Sequence, residues 1–220
     1  MTGLSFDVSH LLAGALVLLS FTLLYQTRLY ALINVYSAQS VVLSAVVAWQ
    51  AFVQDAPHLY ATAAIAFVFK AVAIPYALHR IVAGLGIARD VENVVGIGPT
   101  MLAGLALAAL SVVVMLRIAS EADSLAREDL AFALSVVLLG MLMMVVRRNA
   151  VSMVVGFMSL ENGLILAAAG AKGMPLIVEM SVAFSVLVAI TVIGVFLYGL
   201  NDQFNTVDAA ALDRFQGDRR

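Results

Sequence analysis

Seven long apolar runs dominate this chain, at about 8–26, 29–53, 59–83, 98–118, 129–146, 149–169 and 175–199. A bilayer crossing takes roughly 20 predominantly apolar residues as a helix. In lipid every backbone N–H and C=O must be satisfied inside the protein, which leaves only helices and closed barrels. Runs this long and continuous select helices. The expected fold class is therefore an all-α integral membrane protein of about seven transmembrane helices. The composition agrees, because 63% of the 220 residues are hydrophobic and only 12% are charged, far from the balance of a soluble domain. The first run follows only Asp7, without a basic leader or a small-residue cleavage site, and so reads as a retained helix.

The connections divide the chain into a first three-helix unit (1–83), a linker with the fourth helix (84–128), a second three-helix unit (129–200) and a polar tail (201–220). The two units can be laid over one another as a degenerate duplication. Each begins with two helices joined by a short basic turn, QTR ending at Arg28 and VVRR ending at Arg148. With a slip of two residues Gln39 falls where Glu161 falls, and Lys70 loosely mirrors Glu179. Orientation follows from the basic residues flanking the spans. Arg28, Arg80, Arg89, Arg147, Arg148, Arg214, Arg219 and Arg220 fall on one side, against Arg117, Arg127 and Lys172 on the other. The expectation is an N-terminus outside and a cytoplasmic C-terminus.

Three ionisable residues lie inside apolar runs: Lys70 in AAIAFVFKAVAIP, Glu161 in MSLENGLIL and Glu179 in PLIVEMSVAF. On insertion scales each costs about 2.5–3.5 kcal/mol at the bilayer centre, together roughly 8–10 kcal/mol, so they must face protein or water. Ala63, Ala66, Ala73 and Ala77 share a face with Lys70 and allow a neighbouring helix to come close. Pro75 frees a backbone carbonyl that a water or a lysine can use. The loop GAKGMP permits only an antiparallel hairpin between the last two spans, which puts Glu161 and Glu179 about one turn apart in depth. Carboxyls placed this way, joined by one or two waters, have the spacing of a proton relay. Plainer readings exist for each: Glu179 as a half-wet residue favoured by a helix dipole, Lys70 as a snorkelling or structural charge, Glu161 as a structural partner, Asn162 as interhelical glue.

There is no cysteine, the three histidines are scattered and the net charge is −2, so no metal site, cofactor or nucleic-acid surface is expected. The glycine pairs at 84–86 and 96–98 are loop punctuation and do not open a dinucleotide site. The spans at 98–118 and 129–146 show no polar anchor and are expected to face lipid or partners.

The string VVRRNAVSMVVGF followed by a membrane glutamate resembles the K subunit of respiratory complex I and the C subunit of multisubunit Na+/H+ antiporters. The resemblance covers roughly 130–200 and rests on Arg147, Arg148, Asn149, Gly156, Glu161 and Glu179. It departs in one respect: that family's glutamate stands two residues after the glycine, where this chain has Met158, and Glu161 follows nearly one turn later on about the same face. Over its full length, with LENGLILAAAG before a hydrophobic last helix, the chain is similar to component E of hydrogenase-4. The resemblance implies a non-catalytic membrane-arm subunit in the cytoplasmic membrane of a bacterium or archaeon, packed in the bilayer against antiporter-like and other membrane-arm subunits. Its proton path would use Glu161, Glu179 and Lys70, with Arg147, Arg148, Asn162 and Gln39 positioning them. An autonomous ion transporter or channel and a purely structural scaffold are the competing classes.

Overall fold

The computed structural model describes residues 3–84, 95–118 and 124–170. Among these residues the chain is a bundle of helices and contains no strand. In order they are α1 (Gly3–Tyr25), α2 (Leu29–Gln54), α3 (Pro57–Ala66), a π-helical segment (Phe67–Ala73), α4 (Ile74–Gly84), α5 (Ile97–Ile118), α6 (Ser124–Val146) and α7 (Ala150–Gly170). The segment α3–π–α4 is one continuous crossing, so the described residues hold six helices long and apolar enough to span a membrane. The seventh expected span, 175–199, and Glu179 within it lie outside the described residues, as do Arg89, Lys172 and the polar tail with its three arginines.

The two basic turns lie at the same end of the bundle. Arg147 from the α6–α7 turn reaches the carbonyl of Gln26 in the α1–α2 turn. Hydrogen bonds then tie α2 to α7 at mid-height through Gln39 and Ser159 and at the far end, where Gln54 donates to the Ala169 carbonyl. The two helices therefore run parallel along their length. The α1–α2 hairpin stands beside the α6–α7 hairpin and runs in the same direction. Tyr30 and His79 stack at 5.5 Å between ring centroids, which brings Arg80 to the same end as Arg28, Arg147 and Arg148.

α6 and α7 meet backbone to backbone. A Cβ on Gly140 would lie 2.6 Å from the Leu160 nitrogen and 2.9 Å from the Gly156 oxygen, and one on Gly163 would lie 2.9 Å from the Ala133 oxygen. Small residues at a membrane helix interface replace the hydrophobic drive, which is absent in lipid, by close van der Waals packing. Two apolar clusters fill the rest: one around Leu24, Leu32, Tyr36, Leu78, Met143 and Val155, the other around Leu16, Leu43, Val47, Val136 and Ile165.

The expectation that 98–118 and 129–146 present lipid- or partner-facing surfaces holds unequally. α5 leaves Leu102, Leu105, Leu110, Val112 and Leu116 exposed, whereas α6 packs against α1, α5 and α7 and leaves Met141 and Val145 exposed. Each also carries a buried polar anchor: the hydroxyls of Ser111 and Ser135 meet between α5 and α6. Ser135 also returns a bond to the Ala131 carbonyl one turn back. A serine that closes its own hydrogen bond in this way costs little inside an apolar helix and leaves no periodic signature.

Candidate functional site: a buried Lys70–Glu161 pair

Halfway through the third crossing, the helix widens into the π segment that carries Lys70. The cause is local. Pro75 has no N–H to give to the carbonyl four residues back, that of Ala71, and its ring crowds that carbonyl. One wide turn relieves the conflict. The freed Ala71 carbonyl accepts a hydrogen bond of 2.6 Å from the Ser37 hydroxyl of α2. The acceptor that the sequence offers to a water or a lysine is thus taken by a serine of the neighbouring helix, and Lys70 is left to reach elsewhere.

Its partner is α7. Lys70 Nζ lies 3.2 Å from Glu161 Oε2 and donates to Asn162 Oδ1 at 2.9 Å. Lys70 is 1% exposed, Glu161 3% and Asn162 0%, so the ion pair lies inside the protein and close to the middle of both crossings. From Asn162 the network continues across the bundle. Asn162 Nδ2 donates to Gln39 Oε1 at 3.3 Å, and Gln39 Nε2 donates to Ser159 at 3.0 Å and Ser20 at 2.8 Å. Ser20 donates its own proton to the Leu16 carbonyl. Three of the four crossings in contact here, α1, α2 and α7, contribute polar side chains to this chain of bonds, and the π segment contributes the charge. Two buried charges in contact repay their desolvation only when further hydrogen bonds satisfy them, which is the part played by Asn162.

Of the residues expected to form the site, Lys70, Glu161, Asn162 and Gln39 come together; Glu179 lies outside the described residues. Gln39, expected as the counterpart of Glu161 in the other half, bonds Asn162, the residue next to Glu161. Ser20, Ser37 and Ser159 give no signal in the sequence, since single serines in apolar helices look like small packing residues.

The basic turn divides in two. Arg148 is exposed, and Arg147 is 3% exposed and turned into the bundle. Its Nη2 donates to the carbonyls of Leu23 at 3.1 Å, Leu24 at 2.8 Å and Gln26 at 2.8 Å. These are orphan carbonyls at the end of α1, where the helix dipole also favours a cation. Arg147 therefore clamps the first hairpin to the second. Because lysine has a point charge in place of a planar fork, Arg147→Lys is expected to lower stability by about 1.5–3 kcal/mol. Arg148→Ala is expected to stay within about 0.5 kcal/mol of the parent. Thermal unfolding of the two variants in detergent distinguishes them, and equal midpoints would remove the clamp.

A protein of Mycobacterium tuberculosis, Uncharacterized protein Rv0085, is 30% identical to this chain over 200 residues, covering 89% of this chain and 90% of the relative. The chain belongs to the family of this mycobacterial protein. With nearly all of both sequences aligned, membership of the Rv0085 family rests on the whole chain and not on one motif. No family model matches the chain, and no solved structure matches it.

Proposed function

We propose that this chain is a membrane-arm subunit of a complex-I-related hydrogenase of the hydrogenase-4 type, and that its Lys70–Glu161 pair is a station on a proton path. The observation that carries the reading is that ion pair, 3.2 Å across, at mid-membrane height. Ionisable residues at that depth are costly and rare, and mark ion paths and proton relays. The chemistry needs no cofactor. Burial disfavours the charged form of a group and an opposite charge beside it restores that form, so the two partners hold each other's charge. A proton arriving at the Glu161 carboxylate discharges it and leaves the Lys70 ammonium without its counter-charge. Lys70 then gives up its own proton to the next acceptor on the path, and transfer of the Glu161 proton to the neutral Lys70 amine resets the pair, so that one proton enters and one leaves. Asn162 holds the Lys70 head, Gln39 holds Asn162, and neither amide titrates.

In this reading the end with Arg28, Arg80, Arg147 and Arg148 is cytoplasmic, in keeping with the excess of basic residues there, and the N-terminus is outside. Glu179 on the following span continues the path, and antiporter-like subunits cover the exposed face of α5. The membrane is the cytoplasmic membrane of a bacterium. The parallel hairpins favour one other reading, an autonomous transporter built from two repeats. Co-purification with larger antiporter-like subunits separates the two.

The test is Glu161→Gln, which keeps shape and hydrogen bonding and removes titration. In membrane vesicles, normalised to assembled protein, proton translocation should fall at least about tenfold, the scale of a lost proton-transfer group, while electron transfer to artificial acceptors persists. Glu161→Asp should keep part of it. Translocation equal to the parent in Glu161→Gln would make the residue structural.

A further inference from the structure

The Lys70–Glu161 pair is buried on a side where no described helix stands. Each neighbour of α7 has its own face of that helix. α6 takes Gly156, Leu160 and Gly163, and α2 takes Ser159, Asn162 and Ala169. Glu161 and Ala168, seven residues apart, share a further face, because two helical turns bring the chain back to nearly the same direction. They are nevertheless 3% and 6% exposed. The third crossing shows the same asymmetry. Ala63, Ala71, Ile74 and Leu78 meet α2, whereas Thr62, Ala66 and Lys70 form one ridge, spaced by four residues, on the flank toward α7. That flank is buried too, at 8%, 3% and 1% exposure. α2 packs against both crossings, but among the described residues the two do not pack on each other. The long Lys70 side chain joins them. Two helices held on the flanks of a third and linked by a lysine bound a groove, with α2 as its floor.

We propose that the expected span 175–199 of this same chain lies in that groove, between α7 and the third crossing, and covers the ion pair. α7 ends at Gly170 beside the α2–α3 turn, since Gln54 bonds the Ala169 carbonyl and Pro57 opens α3. The four residues 171–174 reach at most about 18 Å from there, so the span must stand next to α7. Two faces of α7 belong to α6 and α2. An edge with Met153 and Leu164, 40% and 44% exposed, has the character of a lipid-facing strip. The groove face carries the charged pair, which lipid cannot cover without a large penalty. The walls suit a helix. Ala66 and Ala168 are small, and the span brings Ser181, Ala183 and Ser185, side chains of the size that lets membrane helices approach closely. As the second arm of an antiparallel hairpin with α7, the span places Phe184 about level with Glu161 and Met180 about level with Ala66, counting residues from the turn at 1.5 Å each. This placement is a statement about packing and stands apart from the proton-path reading.

The chain has no cysteine, so an introduced pair reports one contact. The experiment is disulfide cross-linking of the full chain in native membranes with copper–phenanthroline, read by mass spectrometry of the linked peptides. Ala66→Cys is combined in turn with a cysteine at Met180, Ser181, Val182 or Ala183, four consecutive residues that present every side of the span at the height of Ala66. At least one of these pairs should link within a single chain. Ala168→Cys combined with a cysteine at Leu176, Ile177 or Val178 should link as well, because the groove has two walls. Val68→Cys, on the opposite side of the third crossing and 54% exposed, should link to none of the four. Links from Ala168 without any from Ala66 would place the span on the lipid-facing edge of α7 and overturn the proposal. Links from Val68 in place of Ala66, links only between two copies, or a link from Ala66 to another membrane protein would overturn it too, the last two by putting a different helix in the groove.

Discussion

Lys70→Met alone will lower stability by about 3–5 kcal/mol, the cost of stranding one buried charge, and most of the chain will fail to accumulate in the membrane. The change leaves the Glu161 carboxylate, 3% exposed, among the apolar side chains of the bundle with its counter-charge removed, and frees Asn162 Oδ1 of its 2.9 Å donor. The double change Lys70→Met with Glu161→Leu should recover most of the loss, because apolar residues of similar volume in place of a buried pair are often neutral or stabilising. The measurement is a double-mutant cycle on thermal unfolding midpoints in detergent, with the coupling read as the non-additive part. Additive effects would mean that the pair does not act as one unit. The same double variant also separates architecture from function. On the proposed proton path it should be folded and inert in translocation, and a folded double variant that still translocates would remove the pair from that path.

That coupling is partly legible in the amino-acid sequence. Lys70 and Glu161 stand out because a charge in an apolar run is expensive wherever it lies, and expense is visible in a sequence. Their contact is not, since nothing in two apolar helices states which faces meet. The fold joins them through a device with a local cause, the π turn ahead of Pro75. The proline is plain in the sequence, but the consumer of the carbonyl it frees is not, because Ser37 is one of several serines in α2. Arg147 shows the reverse case. A basic pair at a helix end reads as two equivalent surface charges, and only the closeness of the α1 terminus makes one of them a buried clamp and leaves the other exposed. Crossings are readable from length and hydropathy, yet the central place of α6 is not, because glycine contact depends on the partner helix and not on the helix's own pattern.

The height of Glu161 is fixed by that glycine contact, and this gives the second large effect. A side chain at Gly140 has no space to enter: its Cβ would lie 2.6 Å from the Leu160 nitrogen and 2.9 Å from the Leu160 Cα, both backbone atoms that no rotamer change can move. Gly140→Ala must therefore push α6 and α7 apart, and Gly140→Val must push them further. Overpacking of this kind costs about 1–3 kcal/mol or more, so the alanine variant should melt well below the parent and the valine variant should give little folded protein. Leu160 is the residue next to Glu161, so the same displacement shifts the carboxylate relative to Lys70 and disturbs the 3.2 Å pair. On the proposed proton path, translocation per assembled molecule should fall in Gly140→Ala although no polar group has been altered. Gly14 in α1 is the control, since a Cβ there meets nothing within 4 Å and Gly14→Ala should match the parent in both measurements. If Gly140→Ala melts and translocates like Gly14→Ala, the α6–α7 contact does not set the geometry of the site, and the position of Glu161 must be held by the Lys70 bond itself.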